Sequence, residues 1–175
     1  GPSRCKCLIQ QPLLTRHLDT VGQASVEQAA TITAWVLYNR AMCLIVFAYR
    51  YHPRYRLIMT ANRDEFYRRP TRPVRFWGDG SGILAGQDLE SGGTWLVLQL
   101  DGRLAAVTNF REGTKKVRPR SRGELTTNFL HGNFSPRQYC QTVKDSVDAY
   151  SGFCLLLADR HGMVCCSNRS DRVEQ

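Results

Sequence analysis

A mixed α+β fold, with helices covering an antiparallel sheet, is what this sequence predicts, on three observations. Apolar strand patterns recur between residues 43 and 110 with only a few turn residues between them, which suits antiparallel neighbours. From Ser121 the apolar spacing changes to a helical period over two consecutive segments. A final pair of apolar runs, Phe153 to Asp159 and Met163 to Ser167, flanks His161-Gly162 and reads as another hairpin.

Length and charge bound the answer further. A chain of 175 residues, 42% hydrophobic and 22% charged, can bury the core of one domain but not comfortably of two. The net charge of +9 is concentrated. Eight Arg lie between Arg50 and Arg75 against Asp64 and Glu65, and six Lys or Arg lie between Arg111 and Arg122 against Glu112. Such stretches suit a peripheral contact with an anionic membrane, or simply a solvated surface. No RNP-like aromatic strand or Cys/His finger accompanies them, so no nucleic-acid partner is expected. Seven Cys, an odd number, do not make a disulfide framework, and several fall inside apolar strand patterns, which favours a reducing compartment. The longest apolar run is far shorter than the ~20 residues of a membrane span, and no secretory signal opens the chain. A soluble intracellular protein is expected.

In chain order, residues 1–41 read as an atypical N-terminal extension, within which Ala29, Ile32, Trp35 and Val36 predict a helix over Ser25 to Asn39. The chain begins with Gly, the mark of a fragment or of a processed or engineered product, and Met42 looks like the natural start of a domain over residues 42–175. Strands are expected at Cys43 to Tyr49 and Tyr55 to Ala61 around a turn at His52-Pro53, the second running into Asn62-Arg63-Asp64-Glu65. Val74 to Trp77, then the run Ile83 to Asp88 after a glycine-rich turn, then Thr94 to Leu100 and Leu104 to Phe110 around Asp101-Gly102 complete the sheet. A strand rather than a helix follows Gly78–Gly82, so that run reads as a turn and not as a phosphate cradle. Ser121 with Glu124 predicts a capping box for a helix that stops at Gly132. Ser135, Pro136 and Gln138 predict a second helix, ending near Gly152. The closing SDRVEQ is expected to end without a further element, leaving the domain C-terminally incomplete.

The chemistry of interest gathers at the polar end of the second strand. A Cys exposed as a free N-terminus carries its own base, because the α-amine can take the thiol proton. Arg63 would favour the thiolate of Cys43, Asp64 would orient the ammonium, and the Asn109 amide would donate to a developing oxyanion. A core thiol beside a structural ion pair is the plain alternative, and the nucleophile requires removal of Met42 and everything before it. Four His stand apart from any Cys or carboxylate at ligand spacing, so no metal and no cofactor is expected. Cys165 and Cys166, adjacent on a strand, should point to opposite faces.

Several words in order, MCLIVFAY, ANRDEFYRRPT, ILAGQDLESGGTW, LAAVTNFRE, PRSRGEL and SNR, resemble the NRDE family, whose eukaryotic branch comprises the transport and Golgi organisation protein 2 homologues. The resemblance runs from Met42 to about Arg169 and implies an N-terminal nucleophile hydrolase-like αββα sandwich of antiparallel sheets. It implies a catalytic set falling on Cys43, Arg63, Asp64, Asn109 and Asn168, with a further Arg beyond Gln175. It also implies a cytoplasmic protein with Golgi and mitochondrial association, acting in Golgi organisation, secretion and lipid or haem homeostasis. A lipid, acyl or haem small molecule would be its ligand. Fold alone leaves a Cys-dependent amide hydrolase and a non-catalytic factor both open.

Overall fold

The computed structural model describes residues 34–38, 44–63, 65–110 and 118–174, in two compact units that meet in the chain between Asp64 and Glu65.

The first unit contains a three-stranded antiparallel sheet, β1 (Ala34–Tyr38), β2 (Leu44–Tyr49) and β3 (Leu57–Asn62), with β2 in the middle. The helix expected over Ser25 to Asn39 is corrected where it can be seen. Ala34–Tyr38 is a strand, paired from Ala34↔Ala48 to Tyr38↔Leu44. Its AWVLY sequence is β-prone, and pairing with β2 outweighs the helical spacing; the remainder of that expected helix lies outside the described residues. β2 and β3 pair from Leu44↔Asn62 to Tyr49↔Leu57. Along β3, half-buried Leu57, Met59 and Ala61 alternate with exposed Ile58, Thr60 and Asn62, and the inward three oppose Tyr49, Phe47 and Ile45.

The second unit is an open seven-stranded antiparallel sheet. Its strands are β4 (Thr71–Phe76), β5 (Ile83–Asp88), β6 (Leu96–Gln99), β7 (Leu104–Asn109), β8 (Phe153–Ala158), β9 (Met163–Ser167) and β10 (Ser170–Glu174), lying side by side in sequence order. The meander is broken once, between β7 and β8, where α1 (Gly123–His131) and α2 (Pro136–Lys144) cross one face. The α+β class with antiparallel sheets is therefore what the chain adopts. Ile83, Ala85, Val97, Ala105, Val107, Leu155 and Leu157 line that face and meet Leu125, Phe129, Tyr139 and Val143 of the helices. Burial of each of the larger aliphatic and Phe side chains is worth roughly 1.5–3 kcal/mol, which is what holds α1 and α2 to the sheet.

Local chemistry sets the ends. β4 begins three residues earlier than the apolar run suggested and includes Pro73. It tolerates a residue without an N–H because it is an edge strand with an irregularity between Arg72 and Arg75. β6 is shorter than Thr94 to Leu100, and α2 stops at Lys144, with a separate 3-10 turn at Val147–Ala149. The Ser135–Gln138 capping box forms as expected, with Pro136 in the first turn. The Ser121–Glu124 box does not. α1 starts at Gly123 after Arg122, Ser121 Oγ accepts from Gly123 N instead, and the Glu124 carboxylate is drawn to Arg120 Nε at 2.7 Å. An ionic partner holds the Glu124 side chain where a capping box would have turned it back on the helix start. The C-terminal end of α1 is closed from outside. Arg103 donates to the carbonyls of Phe129, Leu130, Gly132 and Phe134 and lies over the Phe129 ring. The expectation that SDRVEQ adds no element is also corrected: Ser170–Glu174 forms β10 against β9, an edge strand whose polar sequence carries no apolar run.

Candidate functional site

The β2–β3 ladder ends at Leu44↔Asn62, and Arg63, half-buried, is the next residue. Cys43 and Asp64, the thiol and carboxylate of the expected nucleophilic trio, lie outside the described residues. Arg63 belongs to the first unit, whereas Asn109 and Asn168 belong to the second.

Those two asparagines are brought to one end of the seven-stranded sheet. Asn109, exposed, closes β7 opposite Phe153, the first residue of β8. The Phe153 N–H donates to Asn168 Oδ1 at 2.9 Å. Asn168 Nδ2 faces the carbonyls of Val147 at 3.2 Å and of Tyr150 and Ser151 at 3.4 Å each. Its carboxamide therefore clamps the turn that leads into β8. Ser167 Oγ adds a bond to Phe153 O at 2.6 Å and accepts from Arg169 N.

The loop before α1 is stitched to the same turn. Arg118 Nη1 donates to Asp148 O at 2.9 Å, Arg120 N to Ala149 O at 3.1 Å and Arg122 Nη1 to Gly152 O at 3.1 Å, while Phe110 N reaches Gly152 O at 2.8 Å. The Arg120 guanidinium lies 4.9 Å from the centre of the Tyr150 ring. Burial, with the Glu124 carboxylate nearby, pushes the Tyr150 hydroxyl up to about 12, and burial likewise pushes Tyr139 up. Neither phenol is poised for proton transfer near neutrality.

Two further junctions lock the other half of the sheet. Arg69 donates from Nε and Nη2 to Asp88 Oδ2 at 3.0 and 2.7 Å, and its Nη1 lies 3.3 Å from Glu90. Partial burial pushes the Asp88 carboxyl up. The guanidinium and the Glu90 and Ser91 amides outweigh this and hold it below the ordinary carboxylate range. The second junction is a backbone contact. A Cβ on Gly93 would stand 2.6 Å from Gly123 C, so only glycine lets the segment that leads into β6 reach the first turn of α1. Thr94 N donates to Gly123 O and Thr126 Oγ1 to Thr94 O across it.

Ligand chemistry is sparse. Among the described residues no three His, Cys, Asp or Glu side chains gather as a metal site. His52 Nδ1 accepts from Arg54 N and His161 Nε2 from Arg160 Nε, so each spends one ring nitrogen on its own turn. Cys165 and Cys166 do face opposite ways: Cys166 Sγ meets Cys140 of α2 at 2.7 Å, and Cys165 Sγ meets Cys154 of β8 at 3.2 Å. Sequence reasoning passed over Arg69, Asp88, Arg103 and the Gly93–Gly123 contact. The signal for the last was present, a Gly-Gly-Thr before a strand and an Arg-Gly-Glu before a helix.

Fold and site together define an α+β protein in which separate sequence words are joined as structural locks. ANRDEFYRRPT meets ILAGQDLESGGTW at Arg69–Asp88, that word meets PRSRGEL at Gly93–Gly123, and LAAVTNFRE meets SNR through Phe153. The chain belongs to the transport and Golgi organisation 2 family, whose model matches residues 42–175. It is 41% identical over 143 residues to the bovine transport and Golgi organization protein 2 homolog, covering 75% of this chain and 52% of that protein. It is 42% identical over 125 residues to the human homolog (67% of this chain, 45% of that protein) and 32% identical over 98 residues to the Drosophila melanogaster protein (51% and 35%). The chain thus spans about half the length of the mammalian relatives, 52% of one and 45% of another. Among the described residues no helix is long and apolar enough to cross a membrane.

Proposed function

We propose that this protein is a factor in Golgi organisation and secretion that uses a hydrolase-like scaffold without turnover, handling a lipid, acyl or haem small molecule from the cytoplasm with Golgi and mitochondrial association. The relatives' names supply the Golgi role. The observation that carries the non-catalytic reading is the state of Asn168. Its amide oxygen holds Phe153 N and its amide nitrogen faces three carbonyls, so its polar atoms are engaged in folding the turn before β8. A member of the catalytic set has to present a polar atom to the reacting group instead.

A Cys-dependent amide hydrolase is the second reading, and the β2–β3 register favours it. Leu44 and Asn62 are the last pair, and Cys43 and Arg63 are their immediate neighbours in sequence. In that reading hydrolysis of the Met42–Cys43 peptide bond first frees the Cys43 α-amine, which takes the thiol proton, and the thiolate attacks an acyl carbonyl. The amine product leaves with that proton, and water then releases the acid from the thioester.

Restoration of Golgi morphology and secretion in cells lacking their own family member separates the two. This chain and its Cys43→Ser variant should restore both equally. Restoration by the unsubstituted chain alone would favour the hydrolase, and restoration by neither would refute the assignment of the Golgi role to this chain.

A further inference from the structure

We propose that the tip of the β2–β3 hairpin, Arg50 to Arg56, is a docking surface for anionic phospholipid membranes. The inference stands on the geometry of the tip and does not depend on the function proposed above. From Leu44 to Arg63 the hairpin carries Arg50, Arg54, Arg56 and Arg63 and no acidic residue. Arg50, Tyr51, Pro53, Arg54, Tyr55 and Arg56 are all exposed, Tyr51 by 42% and Tyr55 by 55%, and the neighbouring Ile58 is exposed by 46%.

The tip is held in shape. Arg50 N donates to Arg56 O at 2.7 Å across its neck, and Arg50 takes a left-handed φ of 54° there. His52 Nδ1 accepts from Arg54 N at 3.2 Å, and the His52 and Tyr55 rings lie 4.9 Å apart. A pre-shaped tip loses little conformational entropy on docking.

Three guanidiniums beside two exposed phenols and an aliphatic side chain match the headgroup layer chemically. Guanidinium pairs with phosphate in a two-pronged way, and Tyr settles at the depth where one edge is wet and the body is apolar. Single-stranded nucleic acid also takes cations with aromatics, but it needs ring faces for its bases to stack on. Here Arg54 lies over the Tyr55 ring at 5.8 Å, Arg50 over Tyr49 at 5.2 Å, and His52 packs against Tyr55. The Tyr55 ring is thus partly covered by the chain itself, which leaves Tyr51 as a single platform where successive bases need several, and the membrane is the better match.

Flotation of the 175-residue chain with phosphatidylcholine vesicles, with and without phosphatidylserine, tests the assignment. Binding should require phosphatidylserine and weaken as salt rises. Each Arg at an anionic surface is worth roughly fivefold in partitioning, so Arg50→Ala/Arg54→Ala/Arg56→Ala should bind roughly a hundredfold more weakly. Arg75→Ala/Arg137→Ala/Lys144→Ala removes the same charge from exposed positions elsewhere and should lose only a few-fold. Equal losses from the two triple variants would overturn the proposal in favour of net charge alone. So would binding to pure phosphatidylcholine, or tip-dependent binding to a single-stranded oligonucleotide tighter than to the anionic vesicle. Arg54→Ala alone, a change at an exposed side chain, keeps the test valid if the triple variant unfolds: it should lose about fivefold, and unchanged binding would overturn the proposal.

Discussion

Replacing Gly93 by alanine puts the junction between the sheet and α1 to a direct test. The added Cβ would stand 2.6 Å from Gly123 C, 2.7 Å from Gly123 O and 3.0 Å from Glu124 N. Carbon atoms are content at about 3.5–4.0 Å, so the segment before β6 and the first turn of α1 must part by about 1 Å. The contacting atoms are backbone on both sides, so no side chain can swing away to absorb the change. Parting them strains the Thr94 N to Gly123 O bond, already 3.4 Å, and the Thr126 Oγ1 to Thr94 O bond of 2.7 Å. Overpacking of this kind costs about 1–3 kcal/mol, and weakening one such bond adds about 1 kcal/mol. In a chain of this size that corresponds to a fall in Tm of roughly 5–15 °C. Thermal unfolding followed by circular dichroism should be run beside Gly162→Ala, where nothing lies within 4 Å of the new methyl, and beside Gly123→Ala. In the last, the new Cβ meets Thr94 N at 3.2 Å and Thr94 O at 3.3 Å, so the backbone has to give by only a few tenths of an ångström, less than Gly93→Ala demands. The expected order is Gly162→Ala near the unsubstituted chain, Gly123→Ala close to it, and Gly93→Ala far below. A Gly93→Ala melt indistinguishable from that of Gly162→Ala would refute the reasoning.

Two other substitutions probe the remaining locks. Asn168→Ala removes the acceptor of the buried Phe153 N–H, which should cost about 1–3 kcal/mol in a urea titration; an unchanged midpoint would show that the clamp contributes nothing. Asp88 has a folded-state value held below its ordinary 3.8, so its stabilising contribution is complete above the unfolded value and fades as pH falls through the folded one. Asp88→Asn should therefore flatten the acid limb of the stability profile as pH falls through and below the ordinary carboxylate range, and limbs of equal slope would argue against that linkage.

How much was legible beforehand varies with the kind of interaction. The strands between Ile83 and Ser167 and both helices were readable because their apolar spacing repeats within a few residues, and the Ser135 cap because its partners are three positions apart. β1 was misread because AWVLY is apolar or aromatic throughout, so no period separates strand from helix there, and only its pairing with β2 distinguishes them. β10 was missed because its sequence, SDRVE, carries no apolar run, and an edge strand need not have one. Of the candidate site, Asn109 was named as an oxyanion donor and Asn168 as a member of the catalytic set, but the clamp that Asn168 makes was not foreseen. Whether an amide is presented to a ligand or consumed by the backbone depends on carbonyls 17 to 21 residues away.

By itself, then, the sequence determined the α+β class, the family, the helices and the concentration of arginines along one stretch, because each is encoded by residues close together in the chain. Only the tertiary structure decided that Arg69 meets Asp88, that Gly93 meets Gly123, that Arg103 closes the end of α1 and that Asn168 clamps the entrance to β8. These are contacts between residues 15 to 30 or so positions apart. Their existence depends on strand register and on the crossing of α1 over the sheet, both of which arise only when the whole second unit has packed.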